Sequence, residues 1–155
     1  IAGVSMGGMI SQVIAIEHPD RVLSLTSIMS ASGAPGTMDP TPEAGAVLTV
    51  APPNPETDRE AFIAHGVANA TSIGSPAYPW PEGALRERVI AEHGRAFNPT
   101  GSARQMAAIR AYGDRTQALS KLKVPTVVLH GADDPWCRFA AARPLRPPFR
   151  APSCA

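Results

Sequence analysis

The chain opens on an apolar run, Ile1-Ala2-Gly3-Val4, that meets a serine set between small residues and turns at once into a helical pattern. That junction constrains the fold more than any other feature. Met9, Ile10, Val13, Ile14 and Ile16 recur at spacings of about 3.6, which predicts an amphipathic helix opened by Gly7 and Gly8. His18-Pro19-Asp20 ends it, because the residue before a proline is pushed out of helical geometry. Val22 to Met29 (VLSLTSIM) alternates apolar residues with serine and threonine and reads as the next strand. Strand, tight turn, helix and strand in so short a span make a βαβ unit, so a parallel sheet with a right-handed crossover is expected. The fold class is α/β.

Beyond Ala34 the character changes. Nine of the 17 prolines fall between Ala34 and Pro81, beside Gly, Ser, Thr and Asn. One helix is expected within PETDREAFIAHGVANA, opened by Pro55 with Glu56 and Asp58 in its first turn. Others are expected from about Glu82 to Phe97, from about Ser102 to Tyr112, and within RTQALSKL. Val124 to His130 is a strand whose proline sits near its start, where a missing N–H is tolerated. The layout is a single partial domain: a core over 1–34 and 114–137, a helical cap inserted over 35–113, and a Pro/Arg-rich tail over 138–155.

Composition narrows the function. At 155 residues, 44% hydrophobic, 17% charged and a net charge of +1, the chain can bury a core and does not advertise a polyanionic partner. Aromatic residues make up 5% and no basic stripe interleaves them, so no nucleic-acid partner is expected. No stretch of eighteen apolar residues occurs, so no membrane span is expected. Cys137 and Cys154 show neither a disulfide framework nor metal-ligand spacing. Neither a metal nor a cofactor is expected, and the cysteine usage points to a reducing, cytoplasmic setting.

Gly3-Val4-Ser5-Met6-Gly7 fits G-x-S-x-G at the end of a strand and the start of a helix. A strand that turns abruptly into a helix holds the central residue in strained backbone geometry, and residues two positions either side must be small to avoid collision. The serine hydroxyl then projects above the sheet. The Met6 N–H at the helix start can donate to a developing oxyanion, helped by the helix dipole. One alternative is an ordinary glycine-rich βα turn capped by Ser5. A dinucleotide fingerprint through Gly3, Ser5 and Gly8 lacks the middle glycine and the acidic residue after the second strand. A P-loop lacks its Gly-Lys-Ser/Thr.

Near the other end, VPTVVLHGADDPW runs an apolar strand into Asp133-Asp134-Pro135, which places carboxylates at the C-terminal sheet edge where α/β folds gather their catalytic groups. A triad serine needs a base, and that base needs an acid to orient it. Asp134 is the better candidate because Pro135 restricts its backbone, with Asp133 facing solvent or forming the turn. The alternative for the pair is plain turn chemistry.

Together GVSMGGMISQVIAIEHPDRVLSLTSIM and LKVPTVVLHGADDPW resemble the α/β-hydrolase superfamily, in particular its serine-dependent bacterial esterases of the aclacinomycin methylesterase-like type. The resemblance implies a partial α/β-hydrolase fold, with Ser5 as nucleophile, Met6 N–H as one oxyanion donor and Asp134 as triad acid. It also implies a small apolar ester as substrate, cleaved through an acyl-serine intermediate. Carbon–carbon hydrolases and acyltransferases share the apparatus. Phe62, Ile63, Tyr78, Trp80 and Met106 are candidates for an apolar pocket wall, with packing as the commoner fate of such residues.

The family pattern places a histidine after the acid, and His130 is the last histidine of this sequence. His18, His65, His93 and His130 each have a more ordinary reading: a surface residue, two cap-helix residues, and a residue that orders the aspartate loop. RFAAARPLRPPFRAPSCA follows instead, and reads as out-of-frame translation of a GC-rich gene or as a disordered tail. The early strands and the His segment of the family are expected to be absent, which leaves an inactive remnant as the alternative function and predicts poor solo folding. A cooperative thermal transition of the isolated chain would contradict that.

Overall fold

The structure, a computed structural model, describes residues 1–75 and 77–137; the expectations for the tail over 138–155 lie outside those residues. The chain divides into two compact units, Ile1–Asp39 with the chain from Ala103 onward, and Pro40–Ser102.

The first unit is built on a three-stranded sheet: β1 (Ala2–Val4), β2 (Leu25–Ile28) and β3 (Thr126–Leu129), in that order. All pairings are parallel, with Val4 opposite Ile28 and Ile28 opposite Leu129. This register brings the three strand ends level, so whatever follows each strand stands on one edge. Helix α1 (Met6–Glu17) connects β1 to β2, and a single 3₁₀ turn, Pro19–Arg21, begins where the sequence predicts the helix to stop.

The buried face of α1 differs from the apolar stripe expected of it. Gly8, Met9, Ser11, Gln12 and Ala15 are buried, whereas Ile10 is half exposed. The tight β1–α1 turn brings the start of the helix close to the sheet, so Gly8, Ser11, Gln12 and Ala15 share the buried face with Met9. Ile10, Val13 and part of Ile14 line a groove of about 210 Å³ with Ala108 and Ile109 of α5 (Gly101–Tyr112).

Two apolar clusters hold the unit together. Ala15, Val22 and Leu25 pack with Ile14, Leu122 and Val124; Met9, Ala31 and Cys137 pack with Met38, Ile109 and Trp136. Leu25 is 1% exposed at the start of the central strand. Leu25→Ala is expected to cost about 3 kcal/mol by lost transfer energy plus the cavity left behind, read as a fall in the urea midpoint at constant slope.

The second unit contains α2 (Pro42–Leu48), α3 (Arg59–Ser72) and α4 (Ala84–Arg95). The sequence reading misses α2, although Thr41 caps it through Ala44 N–H and Pro42 stands in its first turn. Helix α3 starts at Arg59 and not at Pro55. Asn54 gathers the N–H groups of Glu56, Thr57 and Asp58 into a turn, and Asp58 Oδ1 then caps the helix at Ala61 N–H. Gly66 lets α3 and α4 approach closely, since a Cβ there would lie 2.8 Å from Val89. Phe62, His93 and Phe97 form an aromatic cluster with centroids 4.9–5.5 Å apart. The Glu60–Arg86 ion pair is exposed, so it contributes little.

Candidate active site

Ser5 occupies the junction between β1 and α1 with φ 54° and ψ −121°. A residue with a Cβ held at positive φ stores about 1–3 kcal/mol of strain and persists only where its surroundings fix it. Here they do. Ser5 N–H donates to the Ile28 carbonyl at 2.9 Å, which ties the junction to the central strand. The Ser5 carbonyl accepts from Met9 N–H at 3.2 Å and from the Ser30 hydroxyl at 2.9 Å. The Ser5 side chain makes no capping hydrogen bond to the helix, which removes the simple capped-turn alternative. Met6 is the first residue of α1, so its N–H is one of the four that find no acceptor within the helix.

The glycines divide the steric work differently from expectation. A Cβ on Gly3 would lie 2.1 Å from the Gly7 carbonyl oxygen. One on Gly7 would meet nothing within 4 Å, so the motif's second small position is not sterically required there. The constraint falls on Gly8 instead, where a Cβ would lie 2.7 Å from Ser30 Cβ. The helix rotates its second residue outward and its third onto Ser30, two residues past β2.

Asp134 sits in the loop after β3, on the same sheet edge as Ser5 with β2 between. Strand spacing alone sets the ends of β1 and β3 roughly 10 Å apart. Its Oδ1 accepts from Trp136 N–H at 2.9 Å and from Cys137 N–H at 2.8 Å. Its Oδ2 lies 3.6 Å from His130 Nε2, and both side chains are nearly fully buried. His130 Nε2 also contacts the Cys137 carbonyl. The carboxylate is therefore aimed by the two amides that follow it, a stronger constraint than the one sequence reasoning drew from Pro135. Asp133 is exposed.

Burial and the neighbouring Asp134 push the Cys137 thiol up to about 12. The thiolate is the reactive form, so native Cys137 is expected to resist iodoacetamide at pH 8 and to react once unfolded in urea. A Cys154→Ser variant isolates the signal. The sign is fixed by the shift: the raised value leaves stability unaffected below the ordinary thiol range and erodes it as pH climbs toward 12.

The other histidines each have a local environment of their own. His18 is exposed at the end of α1, His65 pairs with Asn69 at 3.1 Å, and His93 is held in the aromatic cluster. Of the suggested pocket-wall residues, Phe62 joins that cluster and Ile63 is buried in its own unit. Tyr78 is exposed, and Trp80 stacks under Arg88.

Sequence reasoning assigned nothing to Gln12, Ser30 and Arg115, which are buried and hydrogen-bonded to one another beneath Ser5. The available signal was Gln12 itself, a polar residue on the helical face shared by Gly8 and Ala15.

An elbow of this geometry, at the edge of a parallel sheet and level with an oriented carboxylate, defines the α/β hydrolases. The chain matches the alpha/beta hydrolase fold over residues 1–138 and belongs to that family. Its structure is similar to a meta-cleavage product hydrolase from Pseudomonas fluorescens, with TM-score 0.65 and 17% identity, covering 94% of this chain and 50% of that one. It is also similar to a hydrolase from Pseudomonas aeruginosa, with TM-score 0.61 and 23% identity over 93% and 50%. An N-acyl homoserine lactone degrading enzyme gives TM-score 0.62 and 22% identity over 93% and 52%. At these identities the likeness is one of fold. The chain spans about half the length of these solved structures. No curated protein matches it. No helix among the described residues is long and apolar enough to cross a membrane.

Proposed function

We propose that the protein is a serine hydrolase of carboxylic esters, of the aclacinomycin methylesterase-like type, acting on a small apolar ester in a reducing, cytoplasmic setting. The observation that carries this reading is the positive φ of Ser5, on a hydroxyl that the helix does not use as a cap. Ser5 Oγ adds to the ester carbonyl carbon, and the carbonyl oxygen becomes an oxyanion that the Met6 N–H receives. The alcohol leaves with the serine's proton, and water then releases the acid from the acyl-serine. Asp134 is the triad acid. Its Oδ1 accepts from the loop amides of Trp136 and Cys137, and its Oδ2 faces the buried His130 Nε2 at 3.6 Å.

Esters with good leaving groups test the first half-reaction, because p-nitrophenolate departs without a proton. Incubation with p-nitrophenyl acetate is expected to leave an acetyl group on Ser5 within the tryptic peptide Ile1–Arg21, and Ser5→Ala is expected to remove it. Acetylation that survives Ser5→Ala would defeat the reading.

A further inference from the structure

We infer that Ser30 is a positioning residue that sets the aim of the Met6 N–H, and that the buried Arg115 and Gln12 hold Ser30 in place. The inference rests on the hydrolytic reading of Ser5 and goes further, because it says what orients the oxyanion donor.

A peptide unit is planar and trans, so its C=O and N–H point in opposite directions and turn together. The Ser5 carbonyl and the Met6 N–H are the two ends of one such unit. Its carbonyl end is held by Met9 N–H at 3.2 Å and by Ser30 Oγ at 2.9 Å. The first bond belongs to the helix and is long; the second comes from the sheet and is shorter. The Ser30 hydroxyl thus fixes the plane from outside the helix.

Ser30 reaches that position because Met29, the residue after β2, bends the chain at φ 46°. Met29 and Ser5 are the two non-glycine residues with positive φ among the described residues, and they follow adjacent strands on the same edge. Strain at Met29 therefore accompanies strain at Ser5, as expected if one bend exists to serve the other.

Gln12 Nε2 lies 3.1 Å from Ser27 Oγ and 3.5 Å from Ser30 Oγ. Donating there leaves the Ser30 proton directed to Ser5. The amide orientation of Gln12 is fixed in turn, because its Oε1 accepts from Arg115 Nε at 3.1 Å. Arg115 spans three segments, donating also to the Ala31 carbonyl at 2.9 Å and the Gly113 carbonyl at 3.1 Å. Its partners in these bonds are neutral oxygens. A guanidinium buried to 3% exposure for neutral acceptors is a costly way to fill a core, and an intelligible way to fix a hydrogen-bond direction.

Ser30→Ala removes only the hydroxyl, and Gln12→Glu keeps an acceptor for Arg115 while removing the donor to Ser30. In both variants of the full chain, residual dipolar couplings are expected to show the Met6 N–H turned relative to the axis of α1. Fluorophosphonate labelling of Ser5 is expected to slow about tenfold. Because Gln12→Glu gains an ion pair, its thermal midpoint is expected not to fall, so slower labelling there cannot be a stability effect. An unchanged N–H direction in both variants would overturn the inference. Wild-type protein that does not label at all would count against the hydrolytic reading alone, since the N–H direction still decides the role of Ser30.

Discussion

Gly3→Ala is expected to destabilise the protein by about 3 kcal/mol or more, seen as a lower urea midpoint or a loss of soluble protein. The methyl group would lie 2.1 Å from the Gly7 carbonyl oxygen, 2.3 Å from its carbon and 2.6 Å from the Gly8 nitrogen. All three are backbone atoms of the first turn of α1, so no side chain can rotate away to make room. Relief requires either moving β1, which is locked in register with β2, or unwinding the first turn of α1. Gly7→Ala is the matched control. Its Cβ meets nothing within 4 Å, and alanine is favoured over glycine within a helix by about 1 kcal/mol. The two glycines of the motif should therefore differ in sign. Equal tolerance at both positions would contradict the geometry described for the elbow.

Arg115→Met should cost a similar amount, about 3 kcal/mol, for a different reason. Methionine fills much of the space but leaves the Gln12 amide oxygen and the Ala31 and Gly113 carbonyls without their donor. Burial alone lowers the Arg115 pKa, so its charge is already held at some expense. Lysine restores the charge without the planar fork that reaches three acceptors, so Arg115→Lys should recover only part of the loss. A urea titration of the two variants beside wild type checks both. Full recovery by lysine would show that charge, and not hydrogen-bond geometry, is what the core requires.

The sequence carried the βαβ unit because Ile1–Val4, the periodic helix and VLSLTSIM differ so sharply in period. It carried the elbow because a strained turn needs small neighbours at fixed places. It misplaced one of those neighbours, since spacing does not reveal how far the helix rotates before Gly8 meets Ser30. Helix boundaries shifted where side chains compete for backbone amides: Asn54 held a turn where Pro55 suggested a helix start. The buried face of α1 was misread for a related reason. Hydrophobic period predicts which side is apolar, but here Ser11 and Gln12 share the buried face with Met9 and Ala15, because their hydroxyl and amide find partners there. The aim of Asp134 was attributed to its proline because amides two and three residues on leave no mark in composition.

The most direct test of Ser5 as an activated nucleophile is fluorophosphonate labelling of the full chain, with the modified residue mapped by fragmentation of the peptide Ile1–Arg21. Phosphonylation at Ser5, lost in Ser5→Ala and after unfolding, is the predicted result. Modification of Ser11 or of any other hydroxyl in place of Ser5, or none in folded protein, would contradict the account.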